Sequence, residues 1–155
     1  SSWVGEGRGL KGLARSKKII LPVDAVVASS LKNRKRRVSG IEEVRSDEIV
    51  FDIGPRSQKL FARAVMNAGT IIWNGPMGFI EEKPFQRGTL ALAKALLRSL
   101  AEVLVGGGDT VAFLDGSKLL KKFKRVSTGG GAMLAYLAGE KLPALEALKA
   151  SKVKR

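Results

Sequence analysis

The sequence predicts an α/β fold in which a parallel β-sheet lies between helices on both of its faces. Apolar runs of strand length alternate with segments whose apolar residues recur at helical spacing. Several of the strand-like runs end in turns rich in glycine. The chain has 155 residues, of which 45% are apolar, and this is enough for one domain with a core.

The first half of the chain contains two predicted strands and one helix. Residues 19–28 are rich in β-branched residues and form the first predicted strand. A helix is predicted from Pro55 to Gly69, because the apolar residues between them have helical spacing and these two residues favour its ends. The second strand, 70–73, stops at a turn over 74–76.

The second half repeats the pattern. A helix is predicted over 89–100 and a strand over 103–105, which runs into three glycines. Asp109 is expected to cap a helix over 110–114. The series ends with further helical turns at 118–123, a strand at 126–127 and a helix at 132–138 that Gly139 closes. Parallel strands joined in this way should have right-handed crossovers, as in a Rossmann-like sheet.

The residues that indicate a ligand-binding site lie at three predicted strand ends. These loops are Asn74-Gly75-Pro76, Gly106-Gly107-Gly108-Asp109-Thr110 and Ser127-Thr128-Gly129-Gly130-Gly131. Ligands of open α/β sheets bind at the carboxyl ends of the strands, so the loops should lie along one edge. Glycine-rich turns that lead into helices expose N–H groups to phosphate, and the carboxylate of Asp109 suits Mg²⁺ on a nucleotide. Tight turns that need glycine for a positive φ are the alternative.

Composition excludes several classes of enzyme. The chain has no Cys and no His, which excludes disulfides, thiolate metal sites and histidine-based catalytic triads. No run approaches the roughly 18 apolar residues that a membrane span needs, and no secretory leader is evident. We therefore expect a protein of the cytoplasm without a membrane partner.

The formal net charge of +14 is carried by the two flanks. Residues 46–110 are neutral, whereas each flank contributes +7. The densest basic runs are 32–37 and 118–125. Basic runs can bind nucleic acid, but no aromatic residue lies between Trp3 and Phe51 to stack on bases. Nucleic acid is therefore not expected as the physiological ligand.

Five motifs resemble those of phosphoglycerate kinase, in the order and approximate spacing of that family. They are Leu-Pro-Val-Asp at 21–24, Asp-Ile-Gly-Pro at 52–55, Trp-Asn-Gly-Pro-Met-Gly at 73–78, Gly-Gly-Gly-Asp-Thr at 106–110 and Ser-Thr-Gly-Gly-Gly-Ala at 127–132. The resemblance covers roughly residues 17–150 and implies part of the family's nucleotide-binding C-terminal domain. We accordingly assign 17–155 to a partial domain and leave 1–16 unassigned.

The resemblance implies reversible phosphoryl transfer between 1,3-bisphosphoglycerate and MgADP, giving ATP and 3-phosphoglycerate. It assigns nucleotide binding to one set of residues: Asn74, Gly75, Pro76, Gly78, Glu81, Gly107, Gly108, Asp109 and Thr110. Glu81 falls at the family's ribose-binding glutamate, and Asp109 at its ligand for the nucleotide's Mg²⁺. Gly129, Gly130 and Gly131 match the phosphate-binding backbone, and Gly108 and Gly131 are the candidate catalytic donors to the transferring phosphoryl group.

The 155 residues lack a counterpart of the family's N-terminal domain, which binds phosphoglycerate, and of its early C-domain lysines. The chain is therefore expected to be a fragment or a split half, inactive by itself, with 3-phosphoglycerate as a partner only when the missing half is supplied. A non-catalytic nucleotide- or polyanion-binding module is the alternative.

Overall fold

The computed structural model describes residues 16–31 and 35–152. Apart from Ser16, the unassigned segment 1–16 lies outside the described residues, as do 32–34 of the first basic run and 153–155. The strands are β1 (Asp24–Ala28), β2 (Arg37–Gly40), β3 (Ile49–Ile53), β4 (Thr70–Asn74), β5 (Glu102–Gly106) and β6 (Arg125–Ser127). The α-helices are α1 (Pro55–Met66), α2 (Arg87–Arg98), α3 (Gly108–Gly116), α4 (Gly130–Leu137) and α5 (Pro143–Lys152).

The parallel sheet has the order β4-β5-β6. Trp73 of β4 and Val105 of β5 pack on one face against apolar side chains of α2 and α3, including Leu96 and Leu114. The next residue of β5, Gly106, points to the opposite face, where Met133 of α4 lies against it. Helices thus cover both faces, which confirms the predicted α/β fold.

The expectation that residues 19–28 form a strand of this parallel sheet is wrong. The strand β1 begins only at Asp24 and lies antiparallel between β2 and β3 in a separate sheet. Pro22 has no N–H group to donate to a sheet, which accounts for the later start. The strands β2 and β3 lie in a stretch where charged residues interrupt the apolar runs, so apolar periodicity alone does not indicate them.

Helices α1 and α2 join the two sheets. Helix α1 packs on β1, α2 packs on β3, and the two helices pack on each other. Both have one strongly apolar side, as their spacing of apolar residues predicts. The loops that follow β4, β5 and β6 are therefore held on a scaffold in which the antiparallel sheet supports the parallel one.

Several predicted boundaries differ from those observed. Asp109 does not cap α3, because the helix already begins at Gly108. The N-cap residue is Gly107, which has a φ of 91° and forms no side-chain capping hydrogen bond. Helix α4 begins at Gly130 rather than at residue 132. The helical turns expected over 118–123 reduce to a short 3-10 helix, Leu120–Lys122. Helix α5 is an addition to the predicted elements.

A membrane-spanning helix needs both length and apolar composition, and none of the helices in the described part of the chain has both.

Candidate functional site at the carboxyl ends of the parallel strands

The last residues of the three parallel strands lie side by side. Asn74 of β4 is in register with Gly106 of β5, and Gly106 is in register with Ser127 of β6. The three loops predicted to share one edge of the sheet therefore do share it. Two of them lead directly into helices, α3 and α4, whose first N–H groups have no partner within the helix.

The first two loops are tied together by hydrogen bonds. The N–H of Gly75 donates to the hydroxyl oxygen of Thr110 over 3.0 Å, and the indole N–H of Trp73 donates to the carbonyl of Gly75 over 2.8 Å. Thr110 is fully buried. Gly75 has a φ of 95°, a conformation that glycine adopts readily and side-chain-bearing residues do not. The hydroxyl of Thr110 thus fixes the turn after β4 against the start of α3.

The second and third loops approach each other backbone to backbone. A Cβ on Gly130 would lie 2.7 Å from Cα of Gly107 and 2.5 Å from the side-chain oxygen of Asn74. A Cβ on Gly107 would lie 2.9 Å from that same oxygen. Asn74, Gly107 and Gly130 therefore meet at one point, and the contact leaves no space for a side chain on either glycine.

Other glycines of the same loops face open space. A Cβ on Gly108 or on Gly131 would meet no heavy atom within 4 Å, and one on Gly129 would meet only the Cβ of Ala132 at 3.8 Å. These three glycines are exposed. Packing within the described residues does not require glycine at Gly108 or Gly131. Their bare backbone leaves the N-terminal turns of α3 and α4 accessible to a bulky anion.

Asp109 lies in the first turn of α3, beside Gly108, and is exposed. Among residues 16–31 and 35–152, no group of three or more acidic side chains could hold a metal ion. One exposed carboxylate beside the open N-terminal end of a helix fits a magnesium ion carried by phosphate groups, because Mg²⁺ keeps most of its other ligands as water and phosphate oxygens.

The loop after β4 is anchored to the antiparallel sheet and to α2. The N–H of Phe79 donates to the carbonyl of Phe51 over 2.7 Å, and the N–H of Met77 donates to the hydroxyl of Thr89 over 3.0 Å. Gly78 packs against the carboxylate of Asp52, so internal packing requires this glycine. Pro76 and Gly78 line a mainly apolar cavity of about 450 Å³ against β1 and β3. Glu81 lies further along this loop and is exposed. Neither Glu81 nor Gly78 takes part in the contact of Asn74, Gly107 and Gly130.

Two buried carboxylates that the sequence analysis did not single out hold α1 in place and fix the start of α2. Asp24 accepts hydrogen bonds from the N–H groups of Arg56 and Ser57, at 2.9 and 2.7 Å, and from the Ser57 hydroxyl. Asp52 accepts one from the N–H of Gly88 at 2.8 Å. The only signal for these bonds in the sequence was the presence of both aspartates in the recognised motifs.

The environments of the two carboxylates shift their pKa values in opposite directions. Burial by itself would raise the pKa of Asp24, but the hydrogen bonds from the Ser57 hydroxyl and the two backbone N–H groups hold it below its usual value. For Asp52, burial dominates and raises the pKa, although backbone hydrogen bonds oppose it. The ionised form of Asp24 is therefore the one that the fold favours.

Comparison with known proteins agrees with this architecture. The family model for phosphoglycerate kinase matches residues 9–140. The chain is 44% identical to the phosphoglycerate kinase of Coxiella burnetii over 106 residues, which is 68% of this chain and 27% of the relative. It is 41% identical to that of Desulfosudis oleivorans over 112 residues, or 70% of this chain and 28% of the relative.

Solved structures give the same result. The Coxiella burnetii phosphoglycerate kinase structure superimposes with a TM-score of 0.76 and 46% identity, over 82% of this chain and 33% of that protein. The Pyrococcus horikoshii phosphoglycerate kinase structure gives a TM-score of 0.76 and 34% identity, over 86% and 33%. The chain thus spans about a third or less of the length of the proteins that it matches. Fold, loop order and sequence together show that the chain belongs to the phosphoglycerate kinase family.

Proposed function

We propose that this chain is the nucleotide-binding part of a phosphoglycerate kinase and binds MgADP and MgATP at the carboxyl ends of β4, β5 and β6. The observation that carries the proposal is the junction of Asn74, Gly107 and Gly130, flanked by glycines with open surroundings at the starts of α3 and α4. Such helix ends favour phosphate oxygens through free N–H groups and the helix dipole.

In this proposal each loop has a separate task. Asn74, Gly75 and Pro76 form the turn beside the nucleotide, and Glu81 accepts hydrogen bonds from the ribose hydroxyls. Gly107 and Thr110 shape the start of α3, where Asp109 binds the magnesium ion that the nucleotide carries. The backbone N–H groups of Gly108 and of Gly129, Gly130 and Gly131 hold the phosphoryl group that is transferred. The ion, when bound, neutralises phosphate charge.

The reaction needs no histidine. The attacking group is already an anion, a nucleotide phosphate in one direction and a carboxylate in the other, so no proton has to be removed. Catalysis would then consist of positioning the two reactants and neutralising the charge that spreads over the phosphoryl oxygens. The backbone donors at Gly108 and Gly131 serve this purpose without any titratable side chain.

The acceptor side of the reaction lies outside this chain. We propose that 1,3-bisphosphoglycerate and 3-phosphoglycerate bind only when the remaining part of the family's fold is supplied, and that the assembled protein acts in cytoplasmic glycolysis. The short coverage of the relatives, 27% and 28% of their length, supports this division.

A non-catalytic nucleotide- or polyanion-binding module is the second candidate, and the charge distribution favours its polyanion-binding form. The net charge is +14, and four basic residues at or just before the start of β6 are exposed: Lys121, Lys122, Lys124 and Arg125. Binding through such a surface would depend steeply on salt, because each neutralised phosphate releases counterions.

Titrations of MgADP and of a short single-stranded RNA at low and physiological salt distinguish the two candidates. We expect MgADP affinity to change little with salt and RNA affinity to fall by orders of magnitude. Tight RNA binding at physiological salt together with no MgADP binding would refute the nucleotide proposal.

A further inference from the structure

A groove lined by basic side chains lies at the amino ends of β5 and β6. Its volume is about 540 Å³, and it is bounded by the end of α2, the turn over 99–101, the start of β5 and the segment 122–125. The glycine loops lie at the carboxyl ends of the same strands. The five residues of β5 therefore separate the groove from the proposed nucleotide site by about 13 Å or more.

The segment that leads into β6 presents its basic side chains to this groove. Phe123 is buried in the core, where its ring lies 6.2 Å from that of Trp73. Its two neighbours, Lys122 and Lys124, are exposed and line the groove together with Arg125. The backbone at Phe123 is extended, so burial of this ring directs the side chains on either side of it outward.

Few acidic groups balance these cations. Among the described residues that line the groove, Glu102 is the only acidic one, and it forms an ion pair with Arg125 over 3.1 Å. Both side chains of this pair are largely exposed, so the pair is weak and leaves Arg125 accessible to another anion. Within residues 16–31 and 35–152, neither Lys122 nor Lys124 forms an ion pair.

We propose that this groove binds the phosphate backbone of double-stranded nucleic acid, at a site separate from the proposed nucleotide site. Cations along a groove neutralise successive phosphates and release the counterions bound to them. A duplex carries one charge per about 1.7 Å of its axis and so offers phosphates at high density. The contacts are to phosphate oxygens and do not read the base sequence.

A single strand fits the groove less well than a duplex. Sites for single strands combine a basic groove with aromatic side chains on which the bases stack. Phe123, the one aromatic residue that lines this groove in the described part of the chain, is buried. The lack of exposed aromatic residues therefore argues against single strands but does not weaken phosphate contacts with a duplex.

An anionic lipid surface also fits less well. Leu100 lines the groove and is fully exposed, but surfaces that bind membranes present a broad apolar face beside their cations. The three cations Lys122, Lys124 and Arg125 line a concave surface. Such a surface admits a row of phosphates more readily than a flat bilayer.

Fluorescence anisotropy with a short DNA duplex of arbitrary sequence tests the groove. Three phosphate contacts predict that the logarithm of the affinity falls against the logarithm of the salt concentration with a slope of about −2.7 or steeper. The double variant Lys122→Ala/Lys124→Ala should weaken binding by about tenfold or more at low salt and reduce the slope by about 2. The matched control Lys59→Ala/Lys94→Ala removes the same charge from exposed positions on α1 and α2 and should leave the slope nearly unchanged.

Glu102→Gln should have the opposite effect. It removes the carboxylate that lines the groove, so the affinity for the duplex should rise by about twofold or more. Denaturant unfolding of each variant shows that its fold is retained, as expected for substitutions of exposed side chains. A fall in affinity with Glu102→Gln would contradict the charge argument.

Competition with MgADP separates this inference from the proposed function. Saturating MgADP should leave the affinity for the duplex unchanged, because the two sites lie at opposite ends of the sheet. The proposal would be overturned by displacement of the duplex by MgADP, by equal effects of the two lysine pairs, by tighter binding of the corresponding single strand, or by binding to phosphatidylserine vesicles without binding to the duplex. Absence of MgADP binding alone would refute the proposed function and leave the groove unaffected.

Discussion

The glycines at the strand ends serve two different structural purposes. Gly107 and Gly130 have no space for a side chain, because each approaches Asn74 and the two approach each other. Gly108 and Gly131 have space but carry no side chain, and both are exposed at helix starts. The first pair determines the shape of the site, and the second pair leaves its surface open to a ligand.

Alanine substitution should separate these two purposes. Gly130→Ala should lower the free energy of unfolding by about 1–3 kcal/mol, because the new Cβ overlaps Asn74 and Gly107. Gly131→Ala should leave it unchanged or raise it by up to about 1 kcal/mol, because alanine favours helix. The same Gly131→Ala variant keeps the backbone N–H but should weaken MgATP binding by about 1 kcal/mol or more, because the added Cβ occupies the open space through which a phosphate would approach the backbone. Denaturant unfolding and MgATP titration measure both quantities; equal stability of the two variants would contradict the packing argument.

Asp109→Ala tests the magnesium contact. The carboxylate is proposed to act on the metal, so the variant should bind MgADP more weakly and metal-free ADP with nearly the same affinity. Calorimetric titration with and without Mg²⁺ measures the two affinities. An equal loss in both conditions would rule out the metal contact.

Glu81→Gln tests the ribose contact. The variant should lose about 1 kcal/mol or somewhat more of MgADP binding, since one hydrogen bond to a charged acceptor is weakened. It should also reduce the preference for ADP over 2′-deoxy-ADP. Glu82→Gln, at the neighbouring exposed position, serves as the matched control. An unchanged preference in Glu81→Gln would show that this side chain does not contact the ribose.

At the scale of the elements, helices α1 and α2 begin at carboxylates supplied by the antiparallel sheet. Asp24 lies in β1 and binds the first turn of α1, and Asp52 lies in β3 and binds the start of α2. Both helices lack a side-chain cap from their own N-cap residue. The small sheet thereby fixes the two helices that support β4 and its loop.

The cap on α1 predicts a specific pH dependence. The pKa of Asp24 is lowered in the folded state. The ionised carboxylate therefore contributes its full stabilisation above its unfolded pKa of about 3.9. This contribution is lost as the pH falls through the lower folded pKa. Asp24→Asn should lower the free energy of unfolding by about 1–3 kcal/mol at neutral pH. This difference from the unsubstituted chain should shrink below about pH 4.

Denaturant unfolding from pH 7 to pH 3 measures the effect. Asp115→Asn, an exposed aspartate in the last turn of α3, is the control and should change stability little at any pH. If the Asp24→Asn difference stayed constant through acid pH, the ionised carboxylate would not be the stabilising form.

At the scale of the whole molecule, the described part of the chain presents the carboxyl ends of three parallel strands and their glycine-rich loops along one edge. The chain spans about a third or less of the length of the phosphoglycerate kinases that it matches. Phosphoryl transfer needs donors on both sides of the transferring group. In the proposed function, this edge supplies donors on one side of that group, so we expect binding without turnover.

The purified chain alone should therefore show no measurable phosphoglycerate kinase activity. Loss of one donor of the oxyanion-hole type costs about 10²–10³ in rate, and the proposed function leaves the whole acceptor side to the part of the family's fold that this chain does not match. A coupled assay of the chain and of Asp109→Ala, prepared in the same way, checks this expectation. Activity present in both preparations indicates a contaminant from the expression host, and activity that disappears with Asp109→Ala would refute the half-site argument.

The local pattern of the sequence was sufficient for the parallel half of the fold. Apolar periodicity predicted β4, α2 and β5, and the glycine turns after the strands correctly predicted the shared edge. The motifs also predicted the family. These features depend on residues a few positions apart, so the sequence alone contains them.

Only the tertiary structure determined which distant residues meet. The bond between Ser57 and Asp24 spans 33 positions, and the contact of Gly107 with Gly130 depends on how β5 and β6 align. The antiparallel sheet, the buried cap at Asp52 and the exposed edge of β4 likewise result from packing between segments. No local periodicity specifies such pairings, because they are determined by the free energy of burying whole elements together rather than by the preferences of single residues.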